Sequence, residues 1–165
     1  VFYDVYVSSE MRFHDFVFDG YTYHFVKSQM QQGVTSPQFG GGVKVTDKER
    51  TILDSIKDMN LIAGLEETIT CISSVADVDE AKLLDYLEIY GNPFLYQKMG
   101  FIASQYRNEL NISDEFINIC KQRKGSSKRY LVNDISEPAY ARDWSLVYPK
   151  HIKEMKNGVM DDAAI

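Results

Sequence analysis

Val43-Lys44-Val45-Thr46-Asp47-Lys48-Glu49-Arg50-Thr51-Ile52-Leu53-Asp54 is the stretch at which the chain changes its hydrophobic period. Val43 to Val45 reads as a short strand. Thr46-Asp47-Lys48-Glu49 follows as a capping-box pattern, in which the Thr hydroxyl satisfies an early backbone N–H and Glu at the third helical position reaches back. The helix then places Ile52, Leu53, Ile56 and Met59 on one side. Arg50 and Asp54 stand four residues apart, a spacing that puts them on one helical face as an ion pair. Glu49, Arg50 and Asp54 are therefore expected to be structural.

On the N-terminal side the period is two. Val1 to Val7, Arg12 to Phe18 and Tyr21 to Val26 are rich in Phe, Tyr and Val, and Asp19-Gly20 is a dipeptide that favours a two-residue hairpin turn. This predicts an antiparallel hairpin over 12–26. Residues 29–42, with Gln31-Gln32-Gly33, Ser36-Pro37 and Gly40-Gly41-Gly42, read as a loop. The aromatics of the Tyr21 to Phe25 strand are expected to pack into the core, with a dimer face as their other use.

On the C-terminal side five helices are expected. Beyond the first, one runs from about Leu61 to Ser73, and one starts near Asp79 and ends at Gly91. A long one is capped by Asn92 and Pro93 and carries Leu95, Met99, Ile102, Tyr106 and Leu110. The last is capped by Ser113 and buries Phe116, Ile117 and Cys120. Tyr130 to Val132 and Trp144 to Val147 read as two short strands, and residues 157–165 as a disordered tail. The order strands, helices, strands predicts a single α+β (mixed α/β) domain over 1–156, its C-terminal strands rejoining the first sheet.

The chain has 165 residues and a net charge of -6, and 44% of it is hydrophobic, an ordinary globular composition. No run is long and apolar enough for a membrane span, and a cytoplasmic location is expected. Cys71 and Cys120 are too few for a disulfide framework and are expected to be buried and reduced. The acidity is uneven. Residues 47–90 hold 11 acidic and 4 basic groups, whereas residues 91–165 hold 9 and 11. Lys121, Arg123, Lys124, Lys128 and Arg129 form one basic cluster with no acid among them, which is the candidate surface for nucleic acid or an acidic partner.

No catalytic, cofactor or metal site is expected. His14, His24 and His151 are scattered, no zinc-ligand spacing occurs, and Gly40-Gly41-Gly42-Val43-Lys44 lacks the phosphate-loop pattern. A metal-dependent nuclease would need Asp15, Asp19 and Lys27 to converge, and the Asp19-Gly20 turn already accounts for Asp19.

The segment Val43 to Asp54 resembles the strand-then-helix signature, Glu-Arg-Thr-hydrophobic-Leu-Asp, of the AbiE-type antitoxins, described as transcriptional regulators of viral defence systems. Ala63-Gly64-Leu65-Glu66-Glu67 is similar to the family's Gly-Leu-Glu-Glu helix start. Gln97-Lys98-Met99-Gly100-Phe101-Ile102 is similar to its Arg-Leu-Gly-Tyr-Leu helix, with Lys98, preceded by Gln97, standing where the family has Arg. Trp144-Ser145-Leu146-Val147 resembles its closing strand. The ordered set covers residues 1–148.

The resemblance implies the antitoxin region of an abortive-infection regulator. Such proteins repress their own operon and counter a nucleotidyltransferase-like toxin. They contact operator DNA through an N-terminal winged-helix module, which is expected upstream because the chain opens at Val1 in a β-like run. A net charge of -6 argues against this region gripping duplex DNA by itself. The implied partners are therefore operator DNA through the upstream module, the toxin, and a second copy in a homodimer.

Overall fold

The computed structural model describes residues 3–38 and 40–157. Asp19 and Gly20 both take positive φ, 50° and 81°, as a two-residue hairpin turn with matching twist requires. They join β2 (Phe16–Phe18) to β3 (Tyr21–Lys27), an antiparallel pair with Phe16 opposite Tyr23 and Phe18 opposite Tyr21. β1 (Asp4–Ser9) runs parallel to β3 along its other edge, giving the order β1-β3-β2. The stretch read as a loop over 29–42 contains β4 (Val34–Thr35), which pairs with β5 (Val45–Thr46) as a two-stranded ribbon.

α1 (Lys48–Lys57) starts differently from the capping-box expectation. Its N-cap is Asp47, whose Oδ1 accepts the amide of Arg50 at 2.9 Å. Thr46 is held in β5 opposite Val34, and its hydroxyl meets that of Thr51 at 2.7 Å. Glu49 does not reach back either. Its carboxylate is buried and accepts the backbone N–H of Asp79 at 3.0 Å. That contact ties α1 to the start of α3 (Glu80–Tyr90), whose own cap is the Asp79 side chain.

A 3-10 turn, Met59–Ile62, follows α1. Ala63 and Gly64 then take φ of 64° and 94°, so α2 (Leu65–Ser73) begins later than the apolar spacing implied. Gly91 closes α3 at φ 57°, and Asn92 caps α4 (Pro93–Gln105) through the Phe94 amide. The expected continuation of α4 to Leu110 breaks at Tyr106, whose backbone leaves the helical region while its hydroxyl donates to the carbonyl of Ile152. A separate turn, α5 (Arg107–Leu110), results. With α6 (Asp114–Arg123), capped by Ser113, the described residues form six helices, one more than expected.

The C-terminal strands do not rejoin the first sheet. β6 (Arg129–Tyr130), β7 (Pro138–Ala141) and β8 (Leu146–Pro149) form a sheet of their own, ordered β6-β8-β7. The reason is local. Leu146 and Trp144 are buried with α4, Gln97 of α4 binds the chain at Trp144 and Ser145, and β7 supplies the second edge. β7 went unread because Pro138-Ala139-Tyr140-Ala141 carries a single aromatic and a Pro, a weak strand signal.

The core is helical. Leu53, Ile56, Leu83, Leu87, Met99 and Ile102 are fully buried, and no described residue before Met30 joins the core cluster. The N-terminal aromatics therefore do not pack into it as expected. They pack on one another, with Phe16 stacked on Tyr23 at 4.9 Å and Phe13 edge-on to Phe25 at 5.4 Å between ring centroids. No residue of β1, β2 or β3 is fully buried. Cys120 is buried, and that burial pushes its thiol up to about 12. Cys71 is exposed, against expectation, because α2 buries the face bearing Leu65, Ile69 and Ile72 and leaves Cys71 off it. The fold is α+β. The tail expected to be disordered lies, from residue 158, outside the described residues.

Candidate functional site

Three carboxylates of the acidic stretch 47–90, those of Asp47, Glu49 and Asp54, are engaged between α1 and α3. Arg50 is only 2% exposed. Its Nε lies 3.4 Å from Asp54 Oδ2, and its Nη1 donates to the carbonyl of Gln32 at 2.7 Å. Asp54 in turn accepts from the Tyr90 hydroxyl, and Asp47 from the Tyr86 hydroxyl at 2.6 Å. Burial first, and then the Asp47 carboxylate, push Tyr86 up to about 12. Gly33 permits this seam to close, since a Cβ there would sit 3.0 Å from both Arg50 Cβ and the Tyr86 ring.

The basic cluster begins in the last turn of α6, where Lys121 and Arg123 complement the helix dipole. Lys121 lies 3.3 Å from Asp143 and 5.5 Å from the centre of the Trp144 ring. Arg123 lies 3.5 Å from Glu88 and 3.4 Å from the Tyr96 hydroxyl. These two charges are partly neutralised. Lys124, Lys128 and Arg129 have no carboxylate partner within salt-bridge distance among the described residues. The Lys128 ammonium stands 5.8 Å from the centre of the Tyr130 ring and 5.5 Å from that of Tyr140, and Arg129 stands 5.4 Å from that of Phe94.

Sheet register explains how Tyr130 and Tyr140 come to share Lys128. Both are paired with Val147 of the central strand β8, one from each edge. Paired residues share a face, so the two rings flank Val147 on the side opposite to the buried Leu146. Tyr130 is 55% exposed and Tyr140 52%. Beside Tyr130 opens a recess of about 300 Å³, lined among others by Lys57, Asn60, Phe94, Lys98 and Asn133. Lys98 sits 4.8 Å from the Phe94 ring centre, and burial holds its ammonium below the usual lysine range. The sequence drew attention to the cations and missed Tyr130, Tyr140, Phe94 and Lys98 as their companions. For Tyr130 the signal was its adjacency to Arg129.

Segments distant in sequence interlock here. Lys98 Nζ donates to the carbonyls of Ile56 and Lys57 at 3.4 and 3.3 Å, closing the C-terminus of α1. Gln97 Nε2 donates to the carbonyls of Trp144 and Ser145 at 2.5 and 3.0 Å, and lies 3.5 Å from that of Ser127 inside the basic cluster. Gly100 packs against the Trp144 ring.

Asp15, Asp19 and Lys27 are not brought together. Asp19 sits in the turn, and Lys27 ends β3 six residues beyond Tyr21, about 20 Å away at strand rise. Asp15 is engaged by the His24 ring at 2.7 Å and the Phe25 amide at 3.2 Å, contacts that hold its carboxyl below the usual range. Among the described residues no group of three or more His, Cys, Asp or Glu side chains could hold a metal ion. No helix among them is long and apolar enough to cross a membrane.

No family model, curated protein or solved structure matches this chain.

Proposed function

We propose that this chain is the antitoxin region of an AbiE-type regulator, a domain that works by binding: it takes part in operon autorepression and counters a nucleotidyltransferase-like toxin. Operator DNA is contacted by a winged-helix module, and the basic cluster from Lys121 to Arg129 is the polar contact face of this region. One observation supports the reading above the others. Three of the four segments that carry the resemblance meet in space: Lys98 closes the helix that begins in Val43 to Asp54, and Gln97 and Gly100 hold Trp144 and Ser145. Segments that define a family through its fold are expected to touch in this way.

The test is expression of the full-length protein with the product of the adjacent reading frame. The expected result is restored growth and repression of a reporter driven by the operon promoter. Restored growth should weaken when Arg123, Lys124, Lys128 and Arg129 are all replaced by Ser. Failure of the unaltered protein both to protect and to repress would overturn the reading.

A homodimer formed through the first sheet is a second reading, favoured by the exposure of Phe16, Phe18 and Tyr21 outside the core. A Phe16→Ser, Phe18→Ser protein is expected to halve in mass in light scattering. A monomeric parent protein would dismiss that reading.

A further inference from the structure

We infer that Tyr140, Lys128 and Tyr130, continued round the β6 edge by Arg129 and Phe94, bind single-stranded RNA, one unpaired base entering the recess between Phe94, Tyr130, Asn60 and Asn133. The inference rests on the reading of the basic cluster as a contact face and names what that face holds.

Four observations converge on it. Cations and aromatic rings meet on both sides of the β6 edge: Tyr140, Lys128 and Tyr130 on the Val147 side, Arg129 and Lys98 on the Phe94 ring, and Tyr130 and Phe94 both lining the recess between them. Proteins that hold single strands combine charges that follow phosphates with rings on which bases stack. Lys124, Lys128 and Arg129 lack carboxylate partners among the described residues, so their charge is open to phosphate. Tyr130 and Tyr140 are more than half exposed, held out by their edge positions around Val147. Finally, the recess of about 300 Å³ adds two amide side chains, Lys98, and a Lys57 paired with Asp58, beside a ring. Its volume is at the lower end for small-molecule sites, and amides read the edges of unstacked bases.

The same features argue against other occupants. A duplex hides its base faces and would use only the cations, too few to hold it on a chain of net charge -6. An acidic peptide would likewise leave the two tyrosines idle. On binding, Lys128 moves from the rings to a phosphate and a base takes its place.

The experiment is fluorescence anisotropy of the full chain with a labelled twelve-nucleotide single-stranded RNA, the matching DNA strand, the RNA duplex and an oligo-glutamate peptide. Single-stranded RNA is expected to bind tightest. Tyr130→Ala with Tyr140→Ala is expected to weaken it at least tenfold, since each stacked base contributes that order of affinity. Tyr130→Phe with Tyr140→Phe is expected to preserve it, which separates stacking from misfolding. Lys128→Ser with Arg129→Ser is expected to lower the slope of log affinity against log salt by about 1.4. Absence of RNA binding at low salt, tighter binding of DNA, duplex or peptide, or indifference to the Tyr→Ala pair would each overturn the inference. If RNA does not bind but the serine replacements still abolish protection from the toxin, the RNA inference fails and the antitoxin reading stands. If RNA binds and the growth and reporter assays are negative, the reverse holds.

Discussion

Gly100 of α4 lies against the indole of Trp144 so closely that a methyl group there would sit 2.5 Å from Cζ3 of that ring and 2.5 Å from Cβ of Cys120. Neither neighbour can yield cheaply, because Trp144 is only 4% exposed and Cys120 is fully buried. Gly100→Ala gains about 1 kcal/mol of helix propensity. Overpacking opposes it by about 1–3 kcal/mol or more, since both contacts are well inside van der Waals distance. The net expectation is destabilisation, read as a lower urea midpoint with an unchanged m-value. A midpoint equal to or above that of the parent protein would show that α4 can draw away from Trp144 and α6 at no cost.

Arg50 joins three parts of the structure: the turn ahead of β4 through the Gln32 carbonyl, its own helix through Asp54, and α3 through the Asp54–Tyr90 contact. Arg50→Ala leaves a carbonyl and a carboxylate without their charged donor, a loss of about 2–3 kcal/mol. Arg50→Lys is expected to recover only part of this, since one ammonium cannot span both acceptors with the geometry of a guanidinium. The melting temperature should fall while affinity for the proposed toxin partner, measured at a temperature where the variant is folded, stays within a factor of two. Normal melting with lost affinity would move Arg50 from the framework to the contact face.

The two thiols are expected to differ in reactivity by orders of magnitude. Cys71 is exposed, although partial burial and then its hydrogen bond to Glu67 raise its pKa. Cys120 is buried and carries a far higher pKa, about 12. The thiolate is the reactive species. A disulfide reagent at pH 8 should therefore label one equivalent in the native protein, more slowly than a free cysteine, and a second only in denaturant. Two fast equivalents in the native state would contradict the burial of Cys120 against α4.

Much of this architecture was legible in the sequence wherever one local rule dominated. Asp19-Gly20, Asn92-Pro93, Gly91 and Ser113 each satisfy a backbone requirement within a few residues, and each does so in the fold. The failures arose where a distant group decided. The capping-box reading turns Glu49 back on the start of its own helix, and tertiary packing gives it the Asp79 amide instead. Tyr106 continues an apolar helical stripe, yet its hydroxyl meets Ile152 from the far end of the chain. The site was legible only as charge. Lys128 announces itself in a basic run, but the rings on either side of it depend on Val147 pairing with both edge strands. No spacing rule relates Tyr130 to Tyr140. Gln97, noted only as the residue before Lys98, is buried, and its amide nitrogen donates to the carbonyls of Trp144 and Ser145.

The first sheet lies outside the core and is held partly by charge, which makes it sensitive to pH. His24 of β3 lies 2.9 Å through Nε2 from Asp4 of β1 and 2.7 Å through Nδ1 from Asp15 ahead of β2. Its hydrogen bonds to Asp4 first and then to Asp15 raise its pKa above the ordinary 6.5. The bond to His24 in turn lowers that of Asp15 below 3.8. A raised histidine pKa stabilises the fold fully below about 6.5 and is lost as pH rises through the raised value. A lowered aspartate pKa stabilises above about 3.8 and is lost as pH falls through the lowered value. The clasp is therefore strongest between about pH 4 and 6.5. His151, between Glu137 at 3.2 Å and Glu154 at 3.4 Å, shifts in the same direction, so a melting curve would mix the two. Residue-resolved measurement separates them. The His24 ring-proton resonance should titrate above the free-histidine midpoint, and Asp4→Asn or Asp15→Asn should each lower that midpoint without moving that of His151. Amide protection factors along Thr22 to Val26 should decline as pH rises through the His24 midpoint. A His24 midpoint at the free value, unmoved by either substitution, would leave the sheet held by its backbone pairing and aromatic contacts alone.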